Sequence, residues 1–377
     1  MPFDEIIEQD RPKGLLKKIL SSGRIPHAFL FTGPWGVGKT ASALAAARAL
    51  CCESGPADSC DACPACGKTR RFVHPDIHFH FPMPKYSKSG EAAKVRRSIL
   101  DEMAVDPFYV IQFEKAHSIG IDTIREIKAQ TYMKPVEAKY RVVIISRAEK
   151  MTEEASNSLL KVLEEPPDDV VLFLTAAKPD WLLSTIVSRC REIQFSPLSP
   201  ETVARVLVER GDIEPERALL AAALSRGSIS AALVHGEEDL AAWRDRALAL
   251  FDAGRPGKDA ELHVRVQEAL SEGGRAAIAR TVEIMRIWCR DLLAARCDAK
   301  GAMIANRDRL DRLESEAKSL TVDDIFHRAK VLEDMVELVE GNVNPSLILF
   351  SGVLRYSDPS LKPEAIAKSF PSSLFEG

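Results

Sequence analysis

The sequence predicts a parallel α/β domain built around a phosphate-binding loop, followed by purely helical segments. Three observations carry that expectation. The apolar run Ala28-Phe29-Leu30-Phe31 leads into Gly33-x4-Gly38-Lys39-Thr40, and an Ala-rich helix follows over 41–50. That is the strand–loop–helix setting a phosphate loop requires. Buried apolar runs recur at 140–145, 170–174 and 191–195 with helical patterns between them, and such alternation means a parallel sheet covered on both faces. Beyond residue 237 no strand pattern survives and helical periodicity takes over.

A chain of 377 residues exceeds one ordinary core and suggests two or three domains. Hydrophobic content of 46% is ordinary for a soluble globular protein, and no apolar run approaches a membrane span. The acidic start Met1-Pro2-Phe3-Asp4-Glu5 lacks the basic and apolar regions of a signal peptide. A cytoplasmic location is therefore expected, and clustered cysteines there suggest metal rather than disulfides. A net charge of −4 argues against a protein that grips DNA alone through a broad basic surface. It leaves room for a share in a larger DNA-handling assembly.

In chain order, a helix over 12–21 ends at Gly23, and the loop strand follows. Gly33, Gly36 and Gly38 let backbone N–H groups turn inward around a phosphate, and the helix N-terminus adds its positive dipole end. Lys39 would reach the β- and γ-phosphates and the Thr40 hydroxyl would hold Mg²⁺, so ATP or ADP is the expected ligand. Next comes a cysteine cluster. Cys60-x2-Cys63-x2-Cys66 with one upstream cysteine, Cys51 or Cys52, supplies the four thiolates a structural Zn²⁺ prefers.

A second strand is expected within 74–81, where His78 and His80 share a face; with no carboxylates nearby they read as structural. Residues 82–108 form a polar insertion with one helix over 92–103. A helix starts near Ile121, with Asp122 or Thr123 as its cap. Strand 140–145, helix 153–163, strand 170–174, helix 181–187 and strand 191–195 follow, with Ser188-Arg189-Cys190 at the end of the last helix. Pro197-Leu198-Ser199-Pro200 marks a boundary. Two helices at 201–210 and 215–224, and a third starting at Arg226-Gly227-Ser228, make a small lid. Six helical stretches then run over 240–251, 260–270, 275–295, 302–317, 322–338 and 345–354, and the Ser/Pro-rich tail after Tyr356 is loosely ordered. The expected domains are 1–196, carrying the zinc module 51–67 and the insertion 82–108, a lid over 197–237 and a helical collar over 238–377.

The loop, the cysteine module after its helix, the stretch Asn157-Ser158-Leu159-Leu160-Lys161-Val162-Leu163-Glu164-Glu165-Pro166-Pro167 and Ser188-Arg189-Cys190 together resemble the bacterial DNA polymerase III clamp-loader AAA+ family. The resemblance covers roughly 1–235, and the remainder agrees as a helical collar. It implies an AAA+ P-loop domain, a lid and an all-α collar. Motor members of that family carry Asp-Glu after the strand that here ends in Ile144-Ile145, and this chain has Ser146-Arg147 instead. The family's polar residue ending the next strand falls at Ala177, and its lid arginine at Ser230. With Arg189 retained, the pattern looks like the delta-prime type, a non-hydrolysing stator. Such a subunit helps load the sliding clamp onto primed DNA and offers Arg189 as a trans arginine finger to an adjacent ATPase subunit. The implied partners are the gamma/tau motor and delta subunits, with ATP or ADP bound without hydrolysis. The family's spacing from the loop hydroxyl favours Cys52 as first zinc ligand, leaving seven residues before Cys60 where Cys51 would leave eight. An alternative is a catalytically active, gamma/tau-like ATPase subunit that draws a carboxylate from elsewhere, such as Glu149. A stand-alone zinc-bearing P-loop protein is a third.

Overall fold

The computed structural model describes residues 2–55, 57–86, 89–106, 109–113, 117–236, 239–271, 273–298, 304–341, 343–358 and 360–361. Most of the tail expected after Tyr356 lies outside the described residues, as do parts of the 82–108 insertion. The chain divides into two compact units, one comprising Met1–Leu198 with Gly227–Ala231, the other Ser199–Arg226 with Ala232–Gly377.

The first unit is organised on a five-stranded sheet of β1 (Ala28–Thr32), β2 (Ile77–His80), β3 (Arg141–Ile145), β4 (Val170–Ala176) and β5 (Arg191–Gln194). The order is β2-β3-β4-β1-β5 and every pairing is parallel. Every residue of β1, β3 and β4 is buried, as expected of continuous apolar runs flanked by helices on both faces. Side chains alternate between two cores. Phe29, Phe31, Val142, Ile144, Val171 and Phe173 face one, where the Phe29 and Phe173 rings stack at 4.9 Å. Leu30, Val143, Ile145, Leu172 and Leu174 face the other. The covering helices are α1 (Asp10–Ser21), α2 (Lys39–Cys51), α3 (Pro64–Arg70), α4 (Ser89–Val105), α5 (Ile121–Thr131), α6 (Glu153–Glu164) and α7 (Ser184–Val187).

Three local expectations change. The helix expected over 181–187 is a 3₁₀ turn, Pro179–Trp181, followed by the short α7. Leu182 and Leu183 between them are extended, which turns Leu182 into the core beside Leu30. The start of α5 is capped by neither Asp122 nor Thr123: Gly120 holds that position without a side-chain bond, and Asp122 instead accepts from Arg125 at 2.8 Å. The third lid helix starts at Ile229, because Arg226 and Gly227 have φ of 51° and 81° and cannot open a right-handed helix.

The second unit is helical: α8 (Pro200–Gly211), α9 (Pro215–Leu224), the greater part of α10 (Ile229–Gly236), α11 (Leu240–Asp252), α12 (Asp259–Ser271), α13 (Gly274–Arg296), α14 (Leu310–Ser319), α15 (Val322–Glu340) and α16 (Pro345–Ser357). Good caps set several starts: Ser199 accepts from Thr202, and Thr321 with Asp324 forms a capping box. Of the helix expected over 302–317, residues 302 and 303 lie outside the described residues, and within those described it begins at Leu310. The N–H groups of Ala305 and Asn306 are drawn to the buried Asp291 carboxylate, at 2.9 and 3.0 Å, instead of serving a helical turn. No helix among the described residues is long and apolar enough to cross a membrane.

Candidate functional site

β1 delivers the chain to the phosphate loop at the C-terminal edge of the sheet, and α2 begins at Lys39 with Gly38 as its left-handed cap. Gly33 has φ of 132°, and a Cβ there would lie 2.2 Å from the Phe195 carbonyl oxygen. Gly36 has φ of 75°, and a Cβ would lie 2.1 Å from Ser228 Oγ. Neither position accepts a side chain, so both the turn and the close passage of residues 228–230 over the loop depend on glycine. The Ile229 N–H donates to the Gly36 carbonyl at 3.0 Å.

Lys39 is buried, and its Nζ donates to the Gly33 and Pro34 carbonyls at 2.6 and 2.5 Å. Burial lowers its pKa to about 8, against the opposing pull of Glu149. Lys39 thus rests on the loop's own carbonyls, in the space that a phosphate would enter. Thr40 Oγ1 lies 3.2 Å from Ser146 Oγ. The end of β3 beside Thr40 thus presents a neutral hydroxyl rather than a carboxylate. Arg147 follows in the left-handed region, with its N–H on Thr175 Oγ1 at 3.1 Å.

These groups line a cleft of about 180 Å³, together with Trp35, Gly36, Gly38, Glu5, Glu149, Ala177 and Ser230. Glu5 and Glu149 are its only carboxylates among the described residues. Sequence reasoning missed two contributors. Met103, Tyr109 and Ile111, from the insertion and the segment after it, form an apolar wall. Gln9, with φ of 56°, donates to the Val37 and Ser196 carbonyls at 3.2 and 2.7 Å and so fastens the loop to the chain beyond β5. A left-handed glutamine leaves no signal in a one-dimensional pattern. The apolar run Tyr109-Val110-Ile111 could have flagged the wall.

The sulfurs of Cys52, Cys60, Cys63 and Cys66 lie within 4.8 Å of one another. Backbone N–H groups of Cys60, Cys63 and Cys66 each point at a cluster sulfur at 3.4 Å, the kind of donor set that favours thiolates. Bonds from Ser54 and from the backbone at Ala62 and Cys63 bring the Cys60 thiol down to about 6. Burial holds Cys66 near 12. Four soft donors at this spacing fit a tetrahedral metal. Cys51 stands apart: it is the last residue of α2, packed in the apolar core, with its thiol pushed up to about 12 chiefly by burial. Among the described residues His78 and His80 join no metal group; their Nε2 atoms meet Arg141 at 3.2 Å and Gln130 at 3.1 Å.

Arg189 lies just past α7 and does not line the cleft. Its guanidinium meets Glu164 at 3.0 Å and the Thr185 carbonyl at 3.0 Å, and its side chain is 35% exposed. An exposed ion pair of this kind is weak and exchangeable.

A parallel sheet with an interior strand that runs into a phosphate loop at a helix N-terminus defines a P-loop domain. A family described as "DNA polymerase III, delta subunit" matches residues 8–199, and the chain belongs to that family. It is similar to the DNA polymerase III subunit delta' of Bacillus subtilis (strain 168), with 31% identity over 244 residues, 65% of this chain and 64% of that protein. It is also similar to the DNA polymerase III subunit gamma/tau of Mycobacterium tuberculosis, with 27% identity over 377 residues, 92% of this chain. The chain spans 59% of the length of that gamma/tau protein.

Proposed function

We propose that this chain is a delta-prime-type, non-hydrolysing subunit of a DNA polymerase III clamp loader, assembled with gamma/tau and delta subunits to load a sliding clamp onto primed DNA. One observation carries the reading. The position beside Thr40 that motor subunits fill with an acid is Ser146 Oγ, at 3.2 Å, and the next residue is the cation Arg147. A hydroxyl neither anchors Mg²⁺ firmly nor activates water, and a nearby cation opposes a metal. The loop itself stays fit for a nucleotide, with its glycines in place and a buried lysine. Gly33, Gly36, Gly38, Lys39 and Thr40 would hold ATP or ADP. Cys52, Cys60, Cys63 and Cys66 would hold Zn²⁺, which supplies a closed structural cross-link there. Arg189, outside its own cleft and held by a weak ion pair, is free to exchange Glu164 for the phosphates of an adjacent subunit's ATP. Trans arginines of this kind are worth about 10³–10⁵ in rate.

The longer match to gamma/tau proteins favours a second reading, a hydrolysing motor subunit. It needs a carboxylate near the loop, and Glu149 is the candidate. Steady-state ATP turnover by the isolated chain separates the two. The stator reading predicts negligible turnover; a rate near ~1 s⁻¹ or above, within the usual enzyme range, would establish the motor.

A further inference from the structure

Glu149 sits on the 3₁₀ turn Ala148–Lys150 after β3 and lines the same cleft as Lys39 and Thr40. Its Oε1 accepts the Ala177 N–H at 3.2 Å, just past the end of β4. Its Oε2 is buried without a hydrogen-bond partner. An unpaired buried carboxylate oxygen is costly; the cleft also holds the cations Arg147 and Lys39, and Glu149 favours the protonated form of Lys39.

Placement gives this carboxylate a consequence. In a loop of this kind the lysine reaches the β- and γ-phosphates, and the metal bridging them sits between the loop hydroxyl and the end of the neighbouring strand. Here those two positions are Thr40 and Ser146. The third phosphate would therefore lie toward the ends of β3 and β4, which the Glu149–Ala177 bond joins. No acid beside Thr40 anchors a metal that could neutralise the added charge.

We propose that Glu149 makes this loop a nucleoside-diphosphate site, because its carboxylate stands where a third phosphate would approach Lys39 and repels it. The inference rests on the nucleotide-binding reading above and adds the ligand's phosphate number. Like charges in a partly buried cleft repel by enough to weaken binding on the order of 10- to 100-fold. Free Mg²⁺ would soften the effect by screening the triphosphate.

Calorimetric titration of the full chain with ADP and with ATP, in Mg²⁺ and in EDTA, tests it. Wild type, Glu149→Gln and Glu149→Ala are compared, with circular dichroism and metal content as checks on folding. Glutamine keeps the acceptor for Ala177 and removes only the charge. The expected result is ADP tighter than ATP by roughly 10- to 100-fold in wild type, with the widest gap in EDTA. In both variants the gap should narrow to within about threefold, through tighter ATP binding. Equal affinities in wild type, or a gap unchanged by both substitutions, overturns the proposal while leaving nucleotide binding intact. Tighter ATP binding that needs both Mg²⁺ and Glu149 would make Glu149 a metal ligand and also overturns it. Binding of neither nucleotide by folded protein removes the nucleotide reading itself.

Discussion

Replacing Cys51 and Cys52 one at a time with serine gives two adjacent substitutions with opposite expected readouts. Cys52 follows α2 in an extended conformation, and its sulfur accepts the Cys60 N–H at 3.4 Å within the four-sulfur group. Cys51, the last residue of α2, is instead packed in the core with Leu50. Cys52→Ser removes one of four soft ligands, and structural zinc contributes about 10–16 kcal/mol in small zinc-finger peptides. Even a fraction of that exceeds what the module's small core can supply, so zinc loss and local unfolding of 52–66 are expected. Cys51→Ser buries a hydroxyl where a thiol packed, at a cost of about 1–3 kcal/mol. That is a melting shift of about 2–4 °C per kcal/mol with zinc retained. Zinc per chain by mass spectrometry, after gel filtration, reads the difference, with melting scans in parallel. Full zinc in Cys52→Ser together with loss in Cys51→Ser would refute the assignment.

Lys39→Ala should abolish nucleotide binding, and unchanged titrations would show the loop closed to phosphates. Because burial sets the Lys39 pKa at about 8 in the free protein, ADP affinity should be flat below that pH and fall above it, as binding must then take up a proton; Lys39→Arg, always charged, should remove the slope. Asp76 is fully buried; burial works against its charge, but N–H groups of Ala138, Glu137 and Val136 at 2.7–2.8 Å, with Arg141 beyond them, hold its carboxyl below the ordinary carboxylate range. Asp76→Ala should therefore cost about 3–5 kcal/mol by stranding a buried arginine, read by urea unfolding. A depressed folded pKa places the Asp76 contribution above the ordinary carboxylate range, so in wild type it should fade as pH falls below about 4.

The parts of this protein that read directly from sequence are those whose physics is local. β1, the loop and α2 are contiguous, and Cys60, Cys63 and Cys66 occupy one turn-rich segment, so spacing alone groups them. What the sequence hides is made by distant partners. The Glu149–Ala177 bond joins the ends of two neighbouring strands, and Gln9 reaches Ser196 across most of the domain. Asp76 and Arg141 look like polar interruptions at strand edges, yet form a buried ion pair at 3.3 Å. The α7 region was misjudged because helical spacing at 181–187 also suits two leucines that leave the helix to fill a core. Asp291 likewise takes two N–H groups that local propensity assigns to α14.

The most direct test of the stator account compares clamp- and DNA-stimulated ATPase of reconstituted loaders that differ only at Arg189, with assembly and zinc content verified. Arg189→Ala should slow hydrolysis while the complex stays intact, and Arg189→Lys should restore it only in part, since lysine keeps the charge but loses the two-pronged contact. The loss should be partial, because motor subunits that do not face this chain keep their own partners' arginines. Equal rates for all three complexes would contradict the account and leave Arg189 as no more than the surface partner of Glu164.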